Sequence, residues 1–456
     1  MKLILGAVVA ALVGATVVVA PEAYALIVPS VLSLGVMALV LRWVETADPL
    51  DQEVARWTYG SYAVHLVLSM VIGASSLTKL FFGADADVYH ANAVAIVGHW
   101  SDGSVMPALP AGKEGFYFAL ALVYQVVGPY RVGGFALTAL CSALIVPLLA
   151  DTTRRLFGRP AARALLPLVV LLPGLLVWTA QLLKEAPILA ALALGANLAV
   201  RLSERFSAVT LVMLGLDVGA LFTLRANVAY VFAVGVLVGL ALGGRHLIAG
   251  VATAAAMVGL MAMIVLVGGL GESGYQRSSA ADLKQVNAVR SDLASSNSGV
   301  APDADVSTTA GSLAYLPIGL PQFVLSPFPW QVHNLRQAFG LLEAMTLWCL
   351  VPSFVRGICM AARRVGRKAG LLLAPAGGLT VVLTLLLGNI GVLVRERIQV
   401  VILVLPFVAL GWARTMDDED EAGLPGAAEC SPPRPRGGVA PRVLPTTPPD
   451  GGRPRG

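Results

Sequence analysis

Apolar runs of roughly 17–24 residues recur along the chain, separated by short polar stretches. Runs of that length match the hydrocarbon thickness of a bilayer. In lipid a spanning segment must satisfy its own backbone hydrogen bonds, so each run is read as a helix. The pattern predicts an all-α fold, a polytopic transmembrane helical bundle of about 12 spans with outer interfacial helices. The spans fall at 3–20, 24–42, 58–81, 132–150, 164–180, 186–200, 207–224, 227–243, 247–269, 336–358, 369–388 and 399–413. The apolar stretch from Lys113 to Val127 is too short to cross and suits a helix lying in the interface.

Lys and Arg set the orientation. Lys2, Arg42, Arg56, Arg154, Arg155, Arg159, Arg163, Arg201, Arg205, Arg245 and the run from Arg356 to Lys368 fall on one side when the spans alternate. The positive-inside bias makes that side the cytoplasm of a plasma membrane, with both termini inside. Segments 82–131 and 271–335, and the turns near 181–185, 225 and 389–398, then lie outside. Three regions follow: an N-terminal hairpin and loop (1–57), a transmembrane domain (58–414) and a disordered cytoplasmic tail (415–456). The tail begins with the acidic run Asp417–Glu421 and continues Pro/Gly/Arg-rich, too polar to fold alone. Residues 1–25 also have the outline of a signal peptide ending near Ala23-Tyr24-Ala25; the long apolar region favours an uncleaved span.

Composition agrees. Apolar residues make up 57%, charged residues only 13%, and mean hydropathy is +0.78; a soluble domain carries about 25% charged residues. The net charge of +5 is accounted for by loop and tail arginines, so it gives no reason to expect a nucleic-acid partner. Cys141, Cys349, Cys359 and Cys430 form no CxxC pair and read as packing residues.

The unusual charges gather on the outer side. Asp85 and Asp87, followed by Tyr89 and His90, stand where a span emerges. A carboxylate there can take a proton from an acceptor hydroxyl, or hold a divalent cation, so Asp85 and Asp87 are also a possible metal pair. The same residues fit a solvated loop with an Asp helix cap. Lys184 and Glu185 occupy a tight turn at membrane depth, where charge is costly and usually functional; they also fit a turn pair snorkelling to headgroups. Arg225, Arg395 and Arg397 run against the positive-inside bias. Guanidinium groups suit bidentate phosphate or carboxylate binding; an internal ion pair of Arg395 or Arg397 with Glu396 or Glu185 is the other explanation. The outer segment from Asp303 to Trp330, rich in aromatics and prolines, is either a lid or an interfacial anchor.

The order of these features resembles the membrane glycosyltransferases of the GT-C superfamily, particularly the protein-mannosyltransferase-like and aminoarabinose-transferase-like branch, and a bacterial multi-pass group that accompanies envelope polysaccharide genes. The likeness runs over roughly 80–415. It rests on Asp85-Ala-Asp87-Val-Tyr89-His90, the segment Lys113 to Tyr117, Arg154 to Gly158, Leu-Leu-Lys184-Glu185, Arg225, Pro-Phe-Pro-Trp330, and Gly-Asn389-Ile-Gly391 with Arg395 and Arg397. The chain departs from the family in having two spans ahead of the one that feeds the Asp loop, and Gly-Lys-Glu-Gly where Lys-Pro-Pro is commoner. The resemblance implies an inverting transfer from a polyprenyl-phosphate-linked sugar to an envelope acceptor. Asp85 (alternatively Asp87) would be the base; Lys184, Arg225, Arg395 or Arg397 would hold the phosphate; Tyr89, His90, Lys113 and Glu185 would complete substrate binding. A divalent cation is possible and no other cofactor is implied. Membrane lipids are the remaining partner.

Two other readings stay open: a polymerase or ligase acting on lipid-linked glycans, and a non-catalytic envelope-assembly protein. A transporter fits less well, since Asp217 is the charge that stands out inside a span. The site reading makes one geometric demand: Asp85, Lys184, Arg225 and Arg395 must meet.

Overall fold

The computed structural model describes residues 21–74, 83–109, 113–243, 283–296, 298–333 and 335–423. These residues form an all-helical fold. In chain order the helices are α1 (Pro21–Val44), α2 (Pro49–Ala74), α3 (Gly83–Asp102), α4 (Glu114–Val127), α5 (Arg131–Phe157), α6 (Arg159–Leu171), α7 (Pro173–Thr179) and α8 (Glu185–Glu204). There follow α9 (Ala208–Leu224), α10 (Ala226–Gly243), α11 (Leu283–Ala294), α12 (Thr309–Leu325), α13 (Leu335–Arg364), α14 (Gly370–Leu386) and α15 (Ile390–Gly423). The chain forms two units, Met1–Arg414 and Thr415–Gly456, and the site lies in the first.

The expectation of about 12 spans is not met. Among the described residues five helices are long and apolar enough to cross a membrane: Glu22–Val44, Arg131–Phe157, Glu185–Glu204, Gln337–Arg364 and Gly366–Leu386. The number rises to six if α6 and α7 form one broken span. The expected spans 3–20 and 247–269 lie outside the described residues, as do the leader-like residues before 21 and the tail beyond 423.

The shortfall has physical causes. The apolar run 164–180 is not one rod. Leu172 is extended and Pro173 starts a new helix, so α6 and α7 meet at 53°. Proline has no amide proton for the i−4 carbonyl and clashes with that turn. The runs at 207–224 and 227–243 become helices of 17 and 18 residues. α2 is long enough, but buried Thr58, Ser61, His65 and Ser69 dilute its apolar character. Thr58, Ser61 and His65 bond within α2, and Ser69 also reaches the carbonyl of Ala180 at 2.5 Å.

The main core is a continuous apolar cluster that reaches from α2 to α15, and a small second cluster of Met37, Tyr62, Ala139 and Ala143 joins α1, α2 and α5. α8 sits near its centre, packed on α5, α7, α9, α10 and α14. α13 and α15 cross backbone to backbone at Gly357 and Gly411; a Cβ at either position would strike the other helix's main chain. Small residues allow such approach where lipid gives helices no hydrophobic reason to associate.

The Lys/Arg-rich end is knitted by ion pairs. Asp151, only 1% exposed, receives Arg154 at 2.9 Å, Arg155 at 2.8 Å and Arg201 at 2.7 Å. Asn197 adds a hydrogen bond at 2.9 Å, and Arg201 lies 4.1 Å over the Trp43 ring. Arg154 also reaches Asp51, Arg155 reaches Glu204, Arg159 pairs with Asp48 and Arg163 with Glu53.

Candidate functional site

At the opposite end of α8 the turns near 181–185, 225 and 389–398 meet. The turn 180–184 links α7 to α8 and is held by Ser69. Lys184 donates through Nζ to the carbonyl of Leu224 at 3.0 Å, capping the C-terminus of α9. Glu185 opens α8 and is 1% exposed. Arg225 is the single residue between α9 and α10. Gly115 explains how α4 reaches this turn: a Cβ there would overlap Thr223, so only glycine lets α4 lie against α9.

α15 supplies the rest, and Asn389 sets its start. Its Oδ1 accepts from the amides of Gly391 at 2.8 Å and Val392 at 3.2 Å. The Gly-Asn-Ile-Gly motif is therefore a helix cap here. Successive residues on a helix are rotated by about 100°. Arg395, Glu396 and Arg397 consequently face different neighbours.

Arg395 donates from Nη1 to Asp85 at 2.8 Å and holds Nε 3.1 Å from Glu185 Oε1. Glu396 pairs with Arg225, which is also 3.7 Å from Glu185, and lies 3.9 Å from Arg395. Lys184, Arg225 and Arg395 thus stand among Asp85, Glu185 and Glu396. Of the two explanations of these arginines, the internal ion pair is the one observed: Arg395 lies against Glu185, Glu396 and Asp85, and Arg225 against Glu396 and Glu185. Asp85 is the accessible member, 50% exposed against 16% or less for the paired Arg and Glu residues.

Tyr89 is buried beside this network, edge-on to Phe116 at 4.9 Å and tilted to Tyr117 at 5.2 Å. Burial, then the charge of Glu185, pushes its phenol far up, so it stays protonated. Lys113 precedes α4 and its charge bears on Lys184; its own amide donates to Glu114 at 2.9 Å.

Three candidates sit elsewhere. Asp87 turns away to Arg131 at 2.6 Å, in an exposed pair. His90 shares a 2.8 Å hydrogen bond with the Tyr124 hydroxyl. Burial, then Arg131, holds its imidazole below the usual range. Arg397 is 3% exposed and clamps the chain before Trp330. It donates to the carbonyls of Val324 at 3.1 Å and Ser326 at 2.5 Å, and to Glu343 at 3.2 Å.

The metal reading finds little support in the donor set. Asp85 and Asp87 pair with different arginines, and among the described residues no group of three His, Cys, Asp or Glu side chains is placed to hold an ion.

Sequence reasoning passed over Glu343 and Arg131. Glu343 is a carboxylate inside an apolar run, the signal that singled out Asp217, and was as readable. Arg131 begins a span and carried no such mark.

A cavity of about 330 Å³ opens between α12, α13, α14 and α15. Phe323, Leu347, Phe354, Leu373 and Val404 are among its apolar lining, and Arg397 reaches its wall. No protein-family model and no curated protein matches the sequence of this chain.

Proposed function

We propose that the chain is a glycosyltransferase of a plasma membrane, with both termini cytoplasmic. It would move a sugar from a polyprenyl-phosphate donor to the hydroxyl of an envelope acceptor. The observation that carries this reading is the meeting of an accessible carboxylate, Asp85, with buried arginines at the end of α8 away from the Lys/Arg-rich face. That is the chemistry an inverting transfer needs: a base for the incoming hydroxyl and fixed positive charge for the departing phosphate.

In this reading the donor phosphate competes with Asp85 for Arg395. Its arrival frees the carboxylate. The acceptor oxygen then attacks the anomeric carbon while Asp85 takes its proton, and the bond from carbon to phosphate oxygen breaks with its electron pair going to the phosphate. Arg395 and Arg225 steady the charge that develops there. The apolar cavity beside α12–α15 offers room for part of a prenyl chain.

The test is mass spectrometry of envelope glycans and polyprenyl-linked sugars in a deletion strain. The strain is complemented with wild type or with Asp85→Asn. The expected result is loss of one glycan, restored by wild type alone, with the donor lipid accumulating under Asp85→Asn. Equal restoration by both would overturn the role of Asp85 and move the polymerase, ligase and assembly readings ahead.

A further inference from the structure

The Lys/Arg-rich end contains a second cavity, of about 190 Å³, where α5, α8 and α13 end. Its charged and polar lining is Arg155, Ser203, Glu204, Arg364 and Lys368. Three cations therefore face one carboxylate. Glu204 is already committed to Arg155 at 2.6 Å.

The pairing pattern of this face makes the cavity distinctive. Arg154, Arg155, Arg159, Arg163 and Arg201 each have a carboxylate partner. Arg364 and Lys368 pair with no carboxylate whose side chain is described between residues 21 and 413. Helix C-termini attract cations, which accounts for arginines in the last turns of α5 and α13. It does not account for Lys368, which lies past the end of α13 in the turn Gly366–Ala369 and still lines the cavity.

We propose that this cavity binds a phosphate group, held by Arg364 and Lys368, with Arg155 at its back and the Ser203 hydroxyl on its wall. Two sources share that chemistry: the headgroup of an anionic phospholipid and a soluble phosphorylated molecule. Basic pockets between membrane helices at this kind of face are suited to anionic headgroups. The site stands at the other end of α8 from the Asp85 network and does not rest on the transferase reading.

The experiment uses the full chain in nanodiscs. Native mass spectrometry measures phosphatidylglycerol retained against phosphatidylcholine. In parallel, inorganic phosphate is titrated into phosphatidylcholine nanodiscs and the melting temperature followed. Arg364→Gln/Lys368→Gln is compared with Arg363→Gln/Arg367→Gln, which removes the same charge from exposed positions outside the cavity.

A loss of about 30-fold in phosphatidylglycerol affinity is expected for the first pair only, from roughly a fivefold contribution per cation near an anionic headgroup. That outcome identifies a lipid site. Stabilisation by phosphate that only the first pair abolishes, without lipid preference, identifies a soluble ligand. If wild type binds neither, or both pairs lose binding equally, there is no such site. Arg364→Lys/Lys368→Arg should retain binding, which separates lost charge from lost folding.

Discussion

Asp85 and Arg395 meet at 2.8 Å across 310 residues of chain, joining the start of α3 to the second turn of α15. Half of the Asp85 side chain remains exposed while Arg395 is largely buried. If Asp85 is the base, Asp85→Asn should lower turnover by about 10²–10⁴-fold while the protein still folds and inserts. Asp87→Asn removes only an exposed pair and should change stability by no more than about 1 kcal/mol. Initial rates with a lipid-linked donor, alongside melting curves, check both. Matching loss in the two variants would dissolve the distinction drawn between them.

Glu185, like Glu396, lies between Arg225 and Arg395, and it is the less exposed of the two. Its loss leaves Arg225 and Arg395 sharing Asp85 and Glu396 in a buried setting. Glu185→Gln should therefore destabilise the protein by about 3–5 kcal/mol, the cost of breaking a buried charge arrangement on one side. Thermal unfolding in detergent measures it. A variant that melts with wild type would mean that Glu185 is not what holds the arginines.

Arg397 and Glu343 form a structural clamp on the segment before Trp330. Arg397→Met should release the carbonyls of Val324 and Ser326 and leave Glu343 uncompensated. Pairing it with Glu343→Leu should recover much of the loss, since a buried ion pair is often replaceable by apolar residues. A double-mutant cycle on melting temperature tests the coupling. Additive losses would separate the two residues.

The sequence made the charged turns visible because charge at membrane depth is costly: Lys184, Glu185, Arg225 and Arg395 stood out singly, and the structure brings them together. It could not give rotation about α15. Arg395 and Arg397 look equivalent in the chain, yet about 200° of helix rotation sends them to different partners. The number of spans misled for a related reason. Apolar character does not reveal where Leu172 and Pro173 bend a run, so 164–180 read as one rod. Tyr89 and His90, adjacent in sequence, point one toward the network and one toward Tyr124.

His90 gives a pH signature. Its neutral form is favoured when folded, because burial and Arg131 oppose the imidazolium. Above the unfolded value near 6.5 the ring is neutral in both states. As pH falls below that value the unfolded chain takes up the proton first, and stability declines until the folded ring also titrates. Melting temperature between about pH 7.5 and 5 should fall more steeply in wild type than in His90→Gln. Parallel curves would remove His90 from the acid response.

α8 is fastened at both ends. Glu185 joins the arginine network at one end, and Asn197 and Arg201 join Asp151 at the other. The two anchorages are about 24 Å apart at about 1.5 Å per residue. A helix pinned this way behaves as a strut. It resists sliding and tilting, and any force applied at one membrane surface is delivered to the other. Movement relative to it must then come from elements that are not fastened at both ends. α3 is one of these: Asp85 ties its start to Arg395, Asp87 to Arg131 and His90 to Tyr124. Breaking the Asp85–Arg395 pair would release the start of α3 from α15 and leave the other two ties to hold it.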